Sequence, residues 1–234
     1  MKKAKKWLLR LCFWLSLLGL MIVGIGYIQY RQLIANRPLV EVIEIAQKNS
    51  NYVTLDLIDP FFLQAIVTTE DRRFYDRQGF DIWAFGRAII TNMRQRALVE
   101  GGSTIGQQVA KNLYFDHRTS VMRKIMEVFL LYDIEKAITK DETLELYVNI
   151  IYYGDGYTGI RRASRGYFGK EPIALSAGQA TLLAGLPNSP SRFQLSNHFN
   201  RAKTRQRHIL DALVRYQVIS KEKADEIYQE DVYE

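Results

Sequence analysis

The chain has 234 residues, 47% of them hydrophobic and 24% charged, enough for one sizeable globular domain and too apolar for a disordered tail. Its net charge of +7 is front-loaded: Lys2, Lys3, Lys5, Lys6 and Arg10 all precede the first acid, Glu41, and the remainder is near balance, so basicity gives no case for a nucleic-acid partner. The single cysteine, Cys12, excludes an intrachain disulfide.

From Leu11 to Ile28 no charged residue occurs. At about 1.5 Å per residue this run nearly covers a hydrocarbon core of roughly 30 Å. With basic residues before it and only Arg31 closely after, the positive flank belongs on the cytoplasmic side. The expectation is a cytoplasmic tail over 1–10, a single transmembrane helix over 11–30 and an exported domain over 31–234. Trp7, Trp14, Tyr27 and Tyr30 suit the membrane interfaces. A cleaved signal peptide is the alternative, although the run is long and lacks a small-x-small cleavage site.

After the anchor, residues 31–59 read as a connector with one short helix carrying Val40, Ile43 and Ile45. Asp59-Pro60 is a helix start, and that helix delivers Glu70 near its carboxyl end, where the helix dipole favours a proton acceptor. A second helical stretch, Ile82 to Met93, carries Trp83, Phe85, Ile89 and Ile90. Such a stripe is expected in the core, with lipid contact beside the anchor as the alternative. The Arg94–Arg96 region and Glu100-Gly101-Gly102 form a loop.

Ser120 caps a helix from Val121 to about Lys136 whose expected buried face is Val121, Ile125, Val128, Phe129 and Tyr132. Thr139 and Glu142 form a capping box before the next helix, and Tyr153–Tyr157 is a turn. Further helices follow over Ile160–Phe168, closed by Gly169, and from Ser176 to the Gly185-Leu186-Pro187 stop. Two amphipathic helices, about Arg201–Val218 and Lys221–Gln229, end the chain. No strand pattern appears, so the class is all-α.

Three clusters carry chemistry. Thr69-Glu70-Asp71-Arg72-Arg73-Phe74, with Gly79-Phe80-Asp81, places two acids beside two arginines. Adjacent acids at a helix end are commonly just solvated. Gly101-Gly102-Ser103-Thr104 with Gln107, Gln108, Lys111 and Asn112 offers close backbone approach and a lysine among amides, suited to phosphate or sugar. It also reads as an ordinary Ser/Thr cap on a polar helix. Arg123, Lys124 and Glu127 form a charged face; Arg123 and Glu127 are either a helix pair worth a few tenths of a kcal/mol, or Arg123 meets a diphosphate while Glu127 holds a metal ion or a sugar hydroxyl. His117, His198 and His208 lack zinc spacing. The basic run Arg201, Lys203, Arg205, Arg207 reads as a solvated face, or one drawn to anionic lipid.

Taken in order, these clusters resemble the peptidoglycan glycosyltransferases. Glu145–Asn149, Tyr167–Lys170 and Leu183–Pro187 look like the later motifs of that family, and the likeness spans about Leu57 to Phe193. The resemblance implies a lysozyme-like glycosyltransferase domain, without the transpeptidase domain of bifunctional relatives. It implies an enzyme of the bacterial inner membrane that polymerises lipid II into β-1,4 glycan and releases undecaprenyl diphosphate. Carried over by position, Glu70 is the base and Glu127 the second acid. Asp71 supports Glu70, Lys111 and Arg123 contact the diphosphate, and Ser103, Thr104, Gln107, Gln108 and Asn112 line the site. No organic cofactor is implied. A divalent cation, Mg or Mn, on Glu127 stays open. The implied partners are lipid II, the growing lipid-linked strand, the bilayer and other wall-building proteins. Four positions depart from the family habit: Arg77 for His, Gly106 for Thr, Ser164 for Ala and Gln179 for Glu. A lytic hydrolase, which needs an acid for a poor leaving group, and a non-catalytic scaffold are the competing readings.

Overall fold

The structure, a computed structural model, describes residues 2–95, 102–116 and 120–233. Glu100 and Gly101 of the expected loop, Arg96 and His117 lie outside them. Twelve α-helices follow in order among the described residues: α1 Lys2–Asn36, α2 Leu39–Gln47, α3 Pro60–Glu70, α4 Ile82–Gln95, α5 Ile105–Tyr114, α6 Val121–Ala137, α7 Lys140–Ile150, α8 Ile160–Phe168, α9 Ala177–Gly185, α10 Pro190–Phe193, α11 Leu195–Arg215 and α12 Lys221–Gln229. Short 3₁₀ turns join some of them. Among the described residues β pairing is limited to one isolated antiparallel bridge, Tyr152 with Thr158, so the all-α expectation holds.

Local chemistry sets most boundaries. Pro60 opens α3, with Asp59 accepting from the Phe62 amide. Capping boxes open α5 (Thr104, Gln107), α7 (Thr139, Glu142) and α9 (Ser176, Gln179). Each satisfies two amide donors that a helix start leaves unpaired. Gly169 closes α8 at φ +67°, the left-handed conformation glycine adopts without penalty.

The helices pack as two groups on one continuous apolar core. In one, α9 lies against α3 and α11, and α12 covers α11. In the other, α5 lies against α6 and α7. The last third of α1 docks on α6: a side chain at Gly26 would collide with Ile125, and Tyr27 and Tyr30 lie against Phe129 at 5.2 and 5.3 Å between centroids. Tyr30 also donates to Asp133. The earlier part of α1 is exposed and apolar, and it is long enough to cross a membrane.

This docking corrects the expected face of α6. The structure buries Arg123, Glu127, Leu130, Leu131 and Ile134, while Val121 and Tyr132 stay exposed. The outward apolar stripe, Ile125 and Phe129, is covered by α1, and the inner face meets α5. Helix α4 corrects a second expectation. Ile82, Trp83, Ile90 and Met93 are exposed, Trp83 at 76%, and the side chains of Phe85 and Ile89 lie outside the described set. Helical periodicity identifies an apolar face but not what covers it.

Candidate active site

Glu70 is the last residue of α3, and Asp71 turns the chain out of the helix. Asp71 accepts from the Ile105 amide at 3.1 Å and from Arg77 at 2.5 Å, so it staples the end of α3 to the start of α5. Burial pushes its carboxyl up, against the pull of the Arg77 guanidinium. Arg77 also donates to the Gly79 carbonyl and lies 3.4 Å from Asp81, which Arg73 holds as well. Gly79 sits at φ +69° with Tyr132 where a side chain would go, so the turn requires glycine.

Across the staple, Thr104 and Gln107 spend their side chains on the cap of α5. The Gln107 amide donates to Thr104 Oγ1 at 3.2 Å, and the Thr104 amide donates to Gln107 Oε1 at 3.1 Å. Gln108 is the first side chain of this helix aimed at Glu70: its Nε2 donates to Glu70 Oε2 at 2.8 Å, while its Oε1 accepts from the Tyr147 hydroxyl at 3.4 Å. Burial, then the charge of Glu70, holds the Tyr147 phenol well above its ordinary range. It therefore remains a donor and fixes which end of the amide faces Glu70.

One turn on, Lys111 is partly buried, and burial pushes its ammonium down. Among the described residues no acid forms an ion pair with it. Asn112 turns away, donating to the Gln108 carbonyl at 2.7 Å, and it is outside the cleft lining.

Glu127 of α6 is fully buried beneath two cations. Lys124 Nζ donates to its Oε2 at 2.6 Å and to Ser103 Oγ at 2.9 Å. Arg123 Nε lies 2.9 Å from Oε1, without hydrogen-bond geometry. Both carboxylate oxygens thus already face cations, and no group of three or more His, Cys, Asp or Glu among the described residues could hold a metal ion. A divalent ion on Glu127 would have to displace Lys124 or Arg123 from the carboxylate. Glu127 instead holds Arg123 and Lys124 in place.

These pieces share one cleft of about 580 Å³. Of the sequence-derived site residues, Glu70, Asp71, Ser103, Thr104, Gln107, Gln108, Lys111 and Arg123 line it; Asn112 and Glu127 stand behind. Lys124 and Arg72, read within the charged clusters but given no role of their own, line it too, and a wall from α11 was not foreseen. Arg205, His208, Ile209, Ala212 and Arg215 line that wall. Arg205 is the clearest miss, having been read as part of a solvated basic face. Its stem crosses Gly185, where a β-carbon would fall 2.9 Å from its Cγ, and its Nε is buried without a hydrogen-bond partner among the described residues. The cationic and apolar stripe at positions 205, 208, 209 and 212 was the available signal.

An acid fixed by an amide, facing fixed cations, suits transfer of a group from an anionic carrier. A sequence profile of the family described as Transglycosylase matches residues 36–214. The chain belongs to the transglycosylase family. It is similar to penicillin-binding protein 2D of Bacillus subtilis (strain 168), 42% identical over 76% of this chain and 26% of the relative. It is also similar to penicillin-binding protein 1A of Neisseria flavescens, 36% identical over 80% of this chain and 23% of the relative. Penicillin-binding protein 4 of Bacillus subtilis is 36% identical over 75% and 28%, respectively. The chain thus spans about a quarter of the length of these relatives.

In this transglycosylase each of the four departures from the family habit has a local partner. Arg77 clamps Asp71, Asp81 and the Gly79 carbonyl. Leu131 occupies the space beside Gly106, its Cδ1 lying 2.4 Å from where a β-carbon would stand. Ser164 donates to the Lys170 carbonyl at 2.6 Å, and Gln179 donates to the Val232 carbonyl at 2.8 Å.

Proposed function

We propose that this transglycosylase is a single-pass enzyme of the bacterial inner membrane that polymerises lipid II into β-1,4 glycan strands. Its amino terminus is cytoplasmic and its domain is outside. The observation that carries the reading is the shared cleft: Glu70, held by Gln108, faces the same space as Lys111, Arg123 and Lys124. The apolar α1 and the exposed face of α4 support attachment to the bilayer in which a lipid-linked substrate resides.

The chemistry follows from the leaving group. The lipid diphosphate departs from its sugar without a proton donor at the bridging oxygen, provided cations stabilise the developing charge. Lys111 offers a point charge that burial leaves in want of an anion, and Arg123 offers a planar guanidinium. Glu70 takes the proton from the acceptor's 4-hydroxyl. The freed oxygen bonds to the donor's anomeric carbon from the face opposite the diphosphate. The carbon–diphosphate bond breaks, and the α linkage becomes β. Glu127 keeps the Arg123–Lys124 pair in register.

The test is Glu70→Gln in the full chain, incubated with fluorescent lipid II. The variant should keep its fold and its affinity for undecaprenyl diphosphate while polymerisation falls by about 10²-fold or more. Equal polymer from both proteins would remove Glu70 as the base. Soluble muropeptides released from purified wall would favour a hydrolase.

A further inference from the structure

Tyr147 lies behind the cleft: it is fully buried on α7 and is not part of the cleft lining. Its hydroxyl crosses from α7 to Gln108 Oε1 on α5, at 3.4 Å, and has no other hydrogen-bond partner among the described residues. Helix α7 is itself pinned to the connector before α3. Asn149 donates to the Val53 carbonyl at 2.8 Å and accepts from the Val53 amide at 2.9 Å, and Glu145 accepts from the Leu55 amide at 3.0 Å. On the other side of the amide, Gln108 is the one hydrogen-bond partner of the Glu70 side chain among the described residues. A fixed phenol, an amide and the base thus stand in series. We infer that Tyr147 is a positioning residue for the reaction: through Gln108 it orients the Glu70 carboxylate so that Oε1 is presented to the acceptor's hydroxyl.

The inference rests on the proposed polymerase reading and deepens it. A carboxamide has one accepting and one donating end of similar size, so packing alone does not choose between its two orientations. In the observed one every polar atom is matched: the phenol hydrogen meets Gln108 Oε1, and Gln108 Nε2 meets Glu70 Oε2. Reversed, the amide would set its oxygen against a carboxylate oxygen and leave the phenol hydrogen without an acceptor. A buried donor left unpaired is costly. Burial, then the charge of Glu70, holds the phenol well above its ordinary range, so it keeps that hydrogen throughout the neutral range. With Oε2 committed to Gln108, Oε1 is the oxygen left to take a proton from the cleft. A base works only within hydrogen-bond reach of the hydroxyl it deprotonates, and a carboxylate free to rotate spends less time in that geometry.

The experiment is a double-mutant cycle on lipid II polymerisation by the full chain, with Tyr147→Phe, Gln108→Met and the two combined. Tyr147→Phe removes the hydroxyl and leaves the ring. It should lower kcat about five- to tenfold, with KM for lipid II and affinity for undecaprenyl diphosphate within about twofold of the wild type. In the Gln108→Met background the same change should cost less than about twofold, because no amide remains to be oriented. Thermal unfolding of each variant accompanies the rates. An unchanged kcat overturns the inference. An equal loss in both backgrounds overturns it as well, since the effect then does not pass through Gln108. A raised KM at unchanged kcat also overturns it, and so does failure of Tyr147→Phe to fold, which assigns the hydroxyl to stability. If the wild type forms no polymer, or Glu70→Gln forms as much, the polymerase reading fails instead.

Discussion

Arg77 shows how one residue reorganises its neighbourhood. It reaches two carboxylates that are each nearly without solvent, and it is itself largely buried. Removing it leaves Asp71 with the Ile105 amide and takes one cation from Asp81. Breaking a buried pair by deleting one partner costs about 3 kcal/mol or more, because a charge is stranded away from water. Arg77→Ala should therefore lower the unfolding midpoint markedly, with Arg77→Lys falling between the two, and thermal unfolding followed by circular dichroism reads this directly. Glu70, Lys111 and Arg123 were legible in the sequence because they lie in short motifs with reactive side chains. Arg205 was not, because the run from Arg201 to Arg207 alternates like a solvated surface. Only the distant Gly185, brought against its stem, distinguishes it from its neighbours.

Among the elements, the helix starts were the most legible, since a cap is decided by residues three apart. The box opening α7 makes this testable. Glu142 accepts from the Thr139 amide at 2.7 Å and from its hydroxyl at 2.8 Å, and these bonds hold its carboxyl below the ordinary range. A depressed folded value means the contribution is present above the unfolded value and is lost as pH falls through the folded one. Thr139→Ala should cost about 1 kcal/mol near neutrality, and the penalty should shrink near pH 3; unfolding curves at the two pH values measure it. The faces of α6 and α4 were not legible, for a shared reason. Hydrophobic spacing says that a stripe wants cover, but cover comes from elements remote in sequence. Helix α1 supplies it for α6, and Ile82, Trp83, Ile90 and Met93 on α4 remain exposed.

For the molecule as a whole, the anchor and the catalytic body are one continuous solid. The helix expected over 11–30 runs unbroken to Asn36, and its last third belongs to the packing of the domain. Deleting residues 1–22 should barely change the thermal stability of the remainder. Deleting 1–36 exposes Phe129 and removes the partner of Asp133, and should lower the unfolding midpoint by several degrees, as scanning calorimetry in detergent would record. The all-α class was legible because every segment carried helical spacing and helical punctuation. The cleft between the two helical groups was not, since it depends on which faces pair.

A rod gripped at one end has no hinge to absorb a mismatch. From Leu11 to Gly26, where the grip begins, the span is about 24 Å, and no flexible joint follows before the body. With α1 in a bilayer, as proposed, a lean adopted to fit a thicker or thinner membrane would be passed to the body, tipping the cleft relative to the plane of the lipids. On the proposed reading, lipid composition would then tune chain growth through the tilt of a single helix.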